Sequence, residues 1–590
     1  MAETVVGVFL EQAERRGSAP FLHRWNGTAW EDLSWSECRT RVLRIGAALV
    51  AGRVGRAQAA PSMADRGELP PPSGVEPGEA VILLSENRVE WILADLGIQA
   101  AAGVTVPIYA TSTAETIAKI AANCRAKLAI AGSSKLAAGL PGSLKVVEMD
   151  GELARWMATD PPEKARAELE QRLARLKLSD VASIIYTSGT TGDPKGVVLS
   201  HSNFVRMARA SLQDFSVGPE DSLLSFLPFS HVFERQSGVV VAITAGAEIW
   251  VSRGLDHLAE DIAEVNPTLM LGVPRMFEKI VDRIRDTVRQ QPFWKRILFD
   301  LAIAGRLGPL GDAILKPVRL RVGGKRLRMF ISGGSPLSKE VEGFFWALGI
   351  PIYNGWGMTE TTSGATANTP AAHRYGTVGK ALPGVDLKLA ADGELLVRGP
   401  GILREYSHNP KATSEALDDG WLRTGDIAEI DSDGFVRITD RKKDLLKTSG
   451  GKFVAPQPIE AALQATRYIE TAVLVGDDRP YVTALLVPKW DHLRADLGVD
   501  GDPESLVRDD KVLAAVQKAV DEVNARLAHW ETVKYFCLLA HDFEEAEGER
   551  TPSLKIKRGV IRRNYADLID EMYAEGARSR QGDRKPARRA

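Results

Sequence analysis

Cysteine is scarce in this sequence, and its few cysteines lie far apart. The 590 residues include only Cys38, Cys124 and Cys537, which form no Cys-x-x-Cys pair and no plausible disulfide framework. This usage argues against a disulfide-rich secreted protein and is typical of a reducing cytosol. We therefore expect a cytoplasmic protein.

The sequence also lacks a large excess of either charge sign and lacks long apolar runs. The 75 Lys and Arg residues nearly balance the 77 Asp and Glu residues, so the formal net charge is −2 and no general attraction to nucleic acid is expected. No apolar run reaches membrane-spanning length, and the stretch GVVVAITAGAEIWV is interrupted by Glu248. The N-terminal residues lack the basic start of a signal peptide. We expect a soluble protein that is at most peripheral on a membrane.

Apolar, β-like runs alternate with amphipathic helical stretches between about Thr4 and Leu485, a pattern that favours layered α/β structure. The chain is longer than one hydrophobic core usually supports, so we expect at least two domains. Residues 52–75 are rich in Ala, Pro and Gly and are predicted to be a disordered insertion. The basic tail at 576–590 is predicted to be disordered as well.

One segment departs from the neutral charge of the chain. Residues 283–328 carry twelve Lys or Arg against three Asp or Glu, a net of +9. Within it, PFWKRILFDLAIAGRL places Phe293, Trp294, Leu298, Phe299 and Ile303 where they can share an apolar side. A solvated helical hairpin is one interpretation. The other is a surface that rests on anionic lipid at the inner face of the cell membrane.

Residues 186–196, YTSGTTGDPKG, combine small hydroxyl side chains, glycines and one lysine. Glycines allow a ligand to approach the backbone closely, and the N–H groups, hydroxyls and Lys195 can donate to phosphate oxygens. An ordinary surface turn has a similar composition, so the loop alone leaves both interpretations open. The strand-like flanks, and Pro194 where a Walker A loop requires glycine, exclude that type of nucleotide-binding loop.

Five further motifs follow this loop in order. Each alone is typical of an ordinary turn or a solvated segment. They are FISGGSPLS (330–338), YNGWGMTETT (353–362), WLRTGDIAEIDSDGF (421–435), ITDRKKDLLKTSGGKFVAPQPIE (438–460) and TPSLKIKR (551–558). Together they resemble the acyl-adenylate-forming enzymes, which include acyl-CoA synthetases, firefly luciferase and nonribosomal peptide adenylation domains. HVFER combined with GGKFVAPQPIE most resembles the bacterial long-chain fatty acid–CoA ligases.

The resemblance covers roughly Thr4 to Tyr573 and implies a two-domain α/β fold. Residues 1–440 are expected to form a large N-terminal domain of layered α/β sheets with a smaller β-barrel-like part. Residues 441–575 are expected to form a small, mobile α+β C-terminal domain. The first would bind ATP and the acyl chain, and the second would close over it.

The resemblance also implies a nucleotide site. In this family, the loop that matches the opening motif wraps the β- and γ-phosphates of ATP. The matching residues here are Thr187, Ser188, Gly189, Thr190, Thr191, Gly192 and Lys195. The implied adenine and ribose contacts are Gly334, Ser335, Trp356, Gly357, Asp426 and Arg441. Relatives usually carry tyrosine at the position of Trp356. The tryptophan keeps the stacking face but lacks the phenolic hydroxyl.

The implied catalytic residues follow from the charge problem of the reaction. A carboxylate attacks the α-phosphorus of ATP, and because both are anionic a cation is required. Glu360 matches the Mg²⁺ ligand, and Thr359 would touch the α-phosphate. Lys555 matches the lysine that bridges the acyl carboxylate and the α-phosphate and stabilises the transition state. Leu554 replaces the usual glycine before it, so Lys557 remains an alternative.

Further roles are implied for the domain movement and for the other two substrates. Lys443 matches the hinge between an adenylating and a thioester-forming orientation. Gly450, Gly451 and Lys452 are the implied coenzyme A contacts. The implied acyl-site residues are His231, Gly333 and Val273. A single histidine among apolar residues is also typical of a packed core, so both interpretations of His231 stay open.

The implied reaction converts fatty acid, ATP and CoA to acyl-CoA, AMP and pyrophosphate through an acyl-adenylate. An alternative is a stand-alone fatty acyl-AMP ligase or adenylation enzyme that delivers the acyl group to a carrier protein. No carrier domain follows Tyr573, which favours CoA as the acceptor. A third alternative, a non-catalytic relative, is disfavoured by the retention of Glu360, Asp426, Arg441 and Lys555.

Overall fold

The computed structural model describes residues 3–54, 74–187, 194–544, 547–550 and 556–580. Most of the predicted insertion at 52–75 and the tail beyond Arg580 therefore lie outside the described residues. The last helix, Ala566–Arg580, continues through the first residues of the tail that composition predicts to be disordered.

The chain forms two compact units, and the division is not a single cut. The first comprises Met1–Lys388, Leu396–Arg423 and Asp431–Val436. The second comprises Leu389–Leu395, Thr424–Ile430 and Arg437–Ala590. Two short stretches of the 389–430 region therefore belong to the second unit.

A nine-stranded sheet carries much of the first unit. Its six central strands are parallel, and most of their residues are buried, as expected where helices cover both faces. In spatial order the strands are Lys380–Ala381, Ser363–Ala367, Ile352–Met358, Met329–Ser332, Leu269–Gly272, Ser222–Ser225, Glu248–Val251, Pro20–Trp25 and Trp30–Ser34.

A second sheet of the first unit has seven strands. The predicted apolar runs form its fully buried parallel strands Ala80–Leu84 and Val104–Ile108. The strands flanking the glycine-rich loop pair as an antiparallel hairpin in which Thr187 lies opposite Lys195. In spatial order the strands are Glu405–Tyr406, Lys195–Ser200, Val181–Thr187, Val104–Ile108, Ala80–Leu84, Leu128–Ala131 and Lys145–Glu148.

Helices cover both sheets, and Val89–Ala100 is buried along its whole length because it is apolar on nearly every side. The α-helices of the first unit are Val5–Arg16, Trp35–Val54, Val89–Ala100, Ala114–Cys124, Ser134–Ala137, Ala154–Ala158, Glu163–Arg175, His201–Asp214, Val241–Ala245, Leu258–Val265, Pro274–Arg289, Phe293–Ile303, Gly308–Gly323, Lys339–Ala347 and Pro410–Ala416. Met149–Leu153 and Phe233–Val240 are π-helical, and Leu255–His257 and Thr359–Thr361 are 3₁₀ turns. Among the described residues, no helix is both long and apolar enough to cross a bilayer.

The basic segment 283–328 lies in three helices, Pro274–Arg289, Phe293–Ile303 and Gly308–Gly323. Its apolar residues do not share one side as expected. Phe299 packs into the core beside Phe344, whereas Phe293 and Trp294 are 68% and 59% exposed. The first turn of the middle helix therefore presents aromatic side chains to solvent.

A smaller, five-stranded sheet forms between Asp386 and Arg441, whereas a β-barrel-like part was expected somewhere within residues 1–440. Its strands are Asp386–Leu389, Glu394–Arg398, Trp421–Ile430, Leu417–Asp418 and Val436–Arg441. In the part of the chain that the structure describes, the outermost strands do not pair with each other, so the sheet remains open.

The second unit has its own α+β core. A three-stranded sheet of Ile469–Val475, Val482–Pro488 and Val533–Leu538 is accompanied by the small hairpin Leu446–Lys447 and Phe453–Val454. Its helices are Pro456–Gln464, Trp490–Leu497, Pro503–Leu506, Asp510–Asn524, Arg558–Asn564 and Ala566–Arg580. A large and a small mixed unit agree with the predicted fold class.

Candidate active site

Four neighbouring parallel strands of the nine-stranded sheet end at the same edge, because parallel strands point the same way. The predicted ligand residues follow these strand ends: His231 after Ser222–Ser225, Val273 after Leu269–Gly272, Gly333–Ser335 after Met329–Ser332, and Trp356–Glu360 at the end of Ile352–Met358. Sequence motifs more than a hundred residues apart are thus brought to one edge of one sheet.

Glycine is required at the end of the Met329–Ser332 strand for two different reasons. A Cβ on Gly333 would lie 3.2 Å from the Phe233 ring, which leaves little room for a side chain. Gly334 has φ +89°, a conformation that disfavours other residues. Gly334 and Ser335 are exposed, so their backbone groups are accessible to a ligand.

The YNGWGMTE motif ends in a constrained turn. A Cβ on Gly357 would approach the Ser363 carbonyl oxygen to 1.5 Å, so no larger residue fits there. Trp356 is half-buried and lies opposite Thr366 in the antiparallel neighbour. Thr359 and Glu360 follow in a single 3₁₀ turn, and only 7% of Glu360 is exposed.

Tyr406 holds the Glu360 carboxylate, and sequence reasoning missed it. Its hydroxyl donates to Glu360 Oε1 at 2.8 Å. Burial, followed by the adjacent Glu360 charge and hydrogen bond, raises the pKa of Tyr406 well above its usual value, so it remains a donor. Lys195 Nζ lies 5.4 Å from the Tyr406 ring centroid. A predicted metal ligand, a predicted phosphate ligand and an unpredicted tyrosine therefore meet in one cluster.

No sequence signal pointed to Tyr406. It lies in the two-residue strand Glu405–Tyr406, which is too short to show periodicity, and it pairs with Val197 across the sheet edge. Lys195 begins that neighbouring strand, and Thr187 Oγ1 donates to the Lys195 carbonyl at 3.5 Å. The predicted phosphate ligands Ser188, Gly189, Thr190, Thr191 and Gly192, and the predicted catalytic Lys555, lie outside the described residues.

His231 is half-buried at the same sheet edge. Its Nδ1 accepts the Phe233 N–H at 3.1 Å, and its ring centroid lies 6.4 Å from that of Tyr109. Phe233 in turn packs against Gly333. The histidine is therefore held by its own turn beside other predicted acyl-site residues, and its role there stays a prediction.

The remainder of HVFER forms a buried polar network behind this edge. Glu234 is hydrogen-bonded by the Ser225 hydroxyl, and burial raises its pKa to about 8. The Arg235 guanidinium donates to both Asp95 oxygens, at 3.0 and 2.6 Å, and to the Ser183 hydroxyl at 2.5 Å. This ion pair ties the Phe233–Val240 turn to the buried helix and to the second sheet, so these motif residues are structural.

Within the second unit, Asp426 and Arg441 form an ion pair, with Arg441 Nε 3.1 Å from Asp426 Oδ1. The Asp426 carboxylate is almost fully buried, whereas about a third of the Arg441 side chain is exposed. The Asp426 N–H donates to Thr424 Oγ1 at 3.1 Å, which fixes the backbone beside it. The two residues predicted to bind one sugar are therefore adjacent.

Lys443 lies in the turn that follows Arg441, whose carbonyl accepts the N–H groups of Asp444 and Leu445 at 2.9 and 3.0 Å. The turn is anchored by buried Asp440, which accepts the Arg441 N–H at 2.6 Å and the Gln457 N–H at 3.3 Å. Burial raises the pKa of Asp440 to about 6. The backbone just before the predicted hinge residue Lys443 is therefore held in place by hydrogen bonds.

Gly450, Gly451 and Lys452 form the exposed tip of the small hairpin. The Thr448 N–H donates to the Lys452 carbonyl at 2.9 Å, and Gly451 has φ +76°, which closes the turn. The tip is therefore a tight glycine turn that carries one outward lysine.

Comparison with known proteins agrees with this arrangement. A family model for the AMP-binding enzymes matches residues 72–407, and one for the AMP-binding enzyme C-terminal domain matches residues 443–577. The long-chain-fatty-acid–CoA ligase FadD15 of Mycobacterium bovis is 34% identical over 541 residues, which cover 85% of this chain and 89% of the relative.

Two solved structures share the fold at low sequence identity. The anthranilate CoA ligase AuaEII in complex with anthranoyl-AMP gives a TM-score of 0.72 at 19% identity, covering 96% of this chain and 98% of that one. The O-succinylbenzoate coenzyme A synthetase MenE of Bacillus subtilis, in complex with ATP and a magnesium ion, gives a TM-score of 0.68 at 18% identity, covering 94% and 98%. From the family matches along most of its length and the similarity to FadD15, this chain belongs to the AMP-binding enzyme family.

Proposed function

We propose that this protein is an AMP-forming ligase that activates long-chain fatty acids with ATP and transfers the acyl group to coenzyme A. The observation that carries the proposal is the shared strand edge at which Glu360 and the Gly333–Ser335 backbone lie. Tyr406 of the other sheet donates to Glu360 there and has Lys195 beside its ring. The similarity to a long-chain-fatty-acid–CoA ligase over most of the chain supports the substrate class.

ATP would bind along this edge. Trp356 offers a half-buried ring for the adenine, and the exposed backbone of Gly334 and Ser335 offers donors and acceptors for its polar edge. In the second unit, the Asp426 carboxylate is an acceptor for the ribose hydroxyls, and Arg441 beside it is a donor. Lys195 would neutralise phosphate charge as a point cation.

Glu360 fits a Mg²⁺ ion that accompanies ATP. Mg²⁺ is usually held by one or two carboxylates together with substrate phosphates and waters. Glu360 is one hard oxygen donor oriented by the Tyr406 hydroxyl, and the described residues contain no cluster of three or more His, Cys, Asp or Glu that forms a metal site on its own. The bound ion would neutralise phosphate charge while the acyl carboxylate approaches.

The residues of the chain would then act in two steps. In the first, a carboxylate oxygen attacks the α-phosphorus and pyrophosphate leaves, while Thr359 contacts the α-phosphate and Lys555 stabilises the extra negative charge. In the second, the thiol of CoA gives its proton to water and its sulfur attacks the acyl carbonyl carbon, so that the C–O bond to the phosphate breaks and AMP leaves. Between the two steps, rotation at Lys443 would take Lys555 away from the reacting atoms and bring the Gly450–Lys452 turn to them.

The acyl chain would start at the edge formed by His231, Gly333 and Val273. Among the residues that the structure describes, a Cβ at Gly334 would meet only Val273 within 4 Å, so these residues leave space at this point. The alternative acceptor is a carrier protein, and the two acceptors differ in whether free CoA supports product release.

We expect AMP release to require a fatty acid, to be fastest with long-chain acids and to rise strongly when CoA is added. The measurement is AMP formed across a series of fatty, aryl and amino acids, with and without CoA. Turnover only with aryl or amino acids would contradict the fatty-acid proposal. AMP formation that CoA does not accelerate would favour the carrier-protein alternative.

Tyr406→Phe should raise the Mg²⁺ concentration needed for half-maximal adenylation by about 10–100-fold, because loss of a group that orients a metal ligand has effects of that size. The matched control is Tyr186→Phe, whose hydroxyl, two strands from Tyr406 in the same sheet, donates to Asn123 Oδ1 at 2.6 Å and not to a carboxylate. Mg²⁺ titration of ATP–pyrophosphate exchange gives the result. Equal Mg²⁺ dependence in both variants would remove Tyr406 from the site.

Lys555→Ala should slow adenylation by about 10²–10³-fold, as for loss of one transition-state donor, while supplied acyl-AMP and CoA still form acyl-CoA at the wild-type rate. The matched variant is Lys557→Ala, which removes the other candidate lysine. The two half-reactions are assayed separately. If Lys557→Ala alone shows the selective loss, the assignment moves to Lys557; equal loss of both half-reactions in Lys555→Ala would refute its role.

We also propose that residues 283–328 rest on anionic lipid, from which a poorly soluble fatty acid can be taken. The exposed Phe293 and Trp294 lie beside Arg296 and Lys295, whose charged groups are 5.7 and 5.5 Å from the respective rings. Each cation near an anionic surface contributes about 1 kcal/mol, and salt screens this attraction.

The double variant Lys295→Glu/Arg296→Glu should therefore sediment less with anionic vesicles at low salt, while its activity on a water-soluble medium-chain acid stays unchanged. Lys164→Glu/Arg166→Glu, on the exposed side of another helix, makes the same change in net charge and serves as the control. If the two double variants sediment alike, the segment is a solvated helical surface.

A further inference from the structure

The second unit carries an exposed surface of two aromatic rings and two lysines. We call Lys447, Lys452, Phe453 and Trp530 the Trp530 surface. Trp530 is 48% exposed and Phe453 is 60% exposed, although burying large aromatic side chains normally stabilises a fold. Their exposure is therefore a feature that function can use.

The small hairpin determines which of its side chains face outward. Leu446 and Val454 are paired and buried in the core of the unit. The next pair, Lys447 and Phe453, must point to the opposite side because side chains alternate along a strand. Lys447 Nζ lies 5.9 Å from the Phe453 ring centroid. The hairpin therefore presents one ring and one amine to solvent.

A separate chain segment brings Trp530 to this hairpin. The loop between Asp510–Asn524 and Val533–Leu538 is fastened at its base by Asn524, whose side chain exchanges two hydrogen bonds of 2.9 Å with the Val533 backbone. At the loop tip, Lys452 Nζ lies 5.2 Å from the Trp530 ring centroid. The juxtaposition of Lys452 and Trp530 thus depends on tertiary structure and not on one motif.

The charge of the surface is positive. Asp477 accepts the Lys447 backbone N–H at 3.2 Å, but its carboxylate is already paired with Arg562 at 3.2 Å. An aromatic face flanked by amines has the chemistry that binds a phosphorylated purine. The ring stacks on the base, and the ammonium groups pair with the phosphates.

We propose that the Trp530 surface binds the 3′-phosphorylated adenosine end of coenzyme A, with Trp530 stacking on the purine and Lys452 pairing with the phosphates. This inference rests on the proposed use of CoA. It is continuous with that proposal, because Lys452 belongs to the Gly450–Lys452 turn at which the thiol arm of CoA is expected. The surface would therefore fix the nucleotide end of the molecule whose other end reacts.

The test compares three thiols in the second half-reaction with supplied acyl-AMP. CoA has the full nucleotide, dephospho-CoA lacks the 3′-phosphate, and 4′-phosphopantetheine lacks the adenosine. Trp530→Ala should raise the KM for CoA about tenfold, as expected for loss of one base–aromatic stack, and leave the KM for 4′-phosphopantetheine unchanged. Trp530→Phe, which keeps an aromatic face, should restore most of the affinity.

Wild-type protein should have a lower KM for CoA than for dephospho-CoA, and Lys452→Ala should reduce this preference. Lys388→Ala is the matched control, because Lys388 Nζ lies 4.0 Å from the Trp421 ring in the first unit and is also an exposed lysine over a tryptophan. Adenylation measured by ATP–pyrophosphate exchange should be unchanged in the Trp530→Ala variant.

The outcomes separate this inference from the proposed function. Equal KM changes for CoA and 4′-phosphopantetheine in Trp530→Ala, or no change for either, would overturn the nucleotide assignment. An unaltered preference for CoA over dephospho-CoA in Lys452→Ala would overturn the role of Lys452. Wild-type protein that forms no thioester with any of the three thiols would instead overturn the proposed use of CoA.

Discussion

Parallel pairing of four strands is the constraint on which the first unit's site depends. These strands all run in the same direction, so their carboxyl ends meet at one edge. The chain between them returns through helices, which explains why the ligand residues are so far apart in sequence. Displacing any one strand by a residue would reverse which side chains face the core and would misplace the residues that follow it.

Close packing behind that edge restricts the residues that are allowed there. Gly357 and Gly333 have neighbours within a distance that excludes or crowds a Cβ, so the glycines of two motifs are required by packing as much as by a ligand. The buried Arg235–Asp95 ion pair adds a second restriction. Removing one partner would leave the other charge buried without compensation, which typically costs about 3–5 kcal/mol. The same motif thus serves the fold through Arg235 and adjoins the site through His231.

The second unit carries its predicted ligand residues on a hydrophobic core of its own. Its glycine turn, the proposed hinge residue Lys443 and Trp530 belong to a unit with its own hydrophobic core, so packing within the unit fixes these groups relative to one another. Buried Asp440 anchors the backbone on the N-terminal side of Lys443. Lys443 itself lies in the short turn between Arg441 and Leu445. The two-step reaction proposed above requires such a unit, because different groups must be presented at different steps.

Much of this could be predicted from sequence because it depends on local chemistry. Runs such as AVILL and VTVPI are almost entirely apolar and became fully buried strands, and the Gly-Gly pairs marked turns in which Gly334 and Gly451 have the positive φ that glycine adopts readily. The ordered set of motifs indicated the family. Tertiary structure alone decided the rest. Tyr406 reaches Glu360 through a two-residue strand with no periodicity, Phe299 turns inward while Phe293 and Trp294 remain exposed, and Trp530 meets Lys452 through a loop nearly eighty residues away in sequence. These contacts join segments whose separate patterns carry no information about each other, because strand pairing and core packing determine which segments become neighbours.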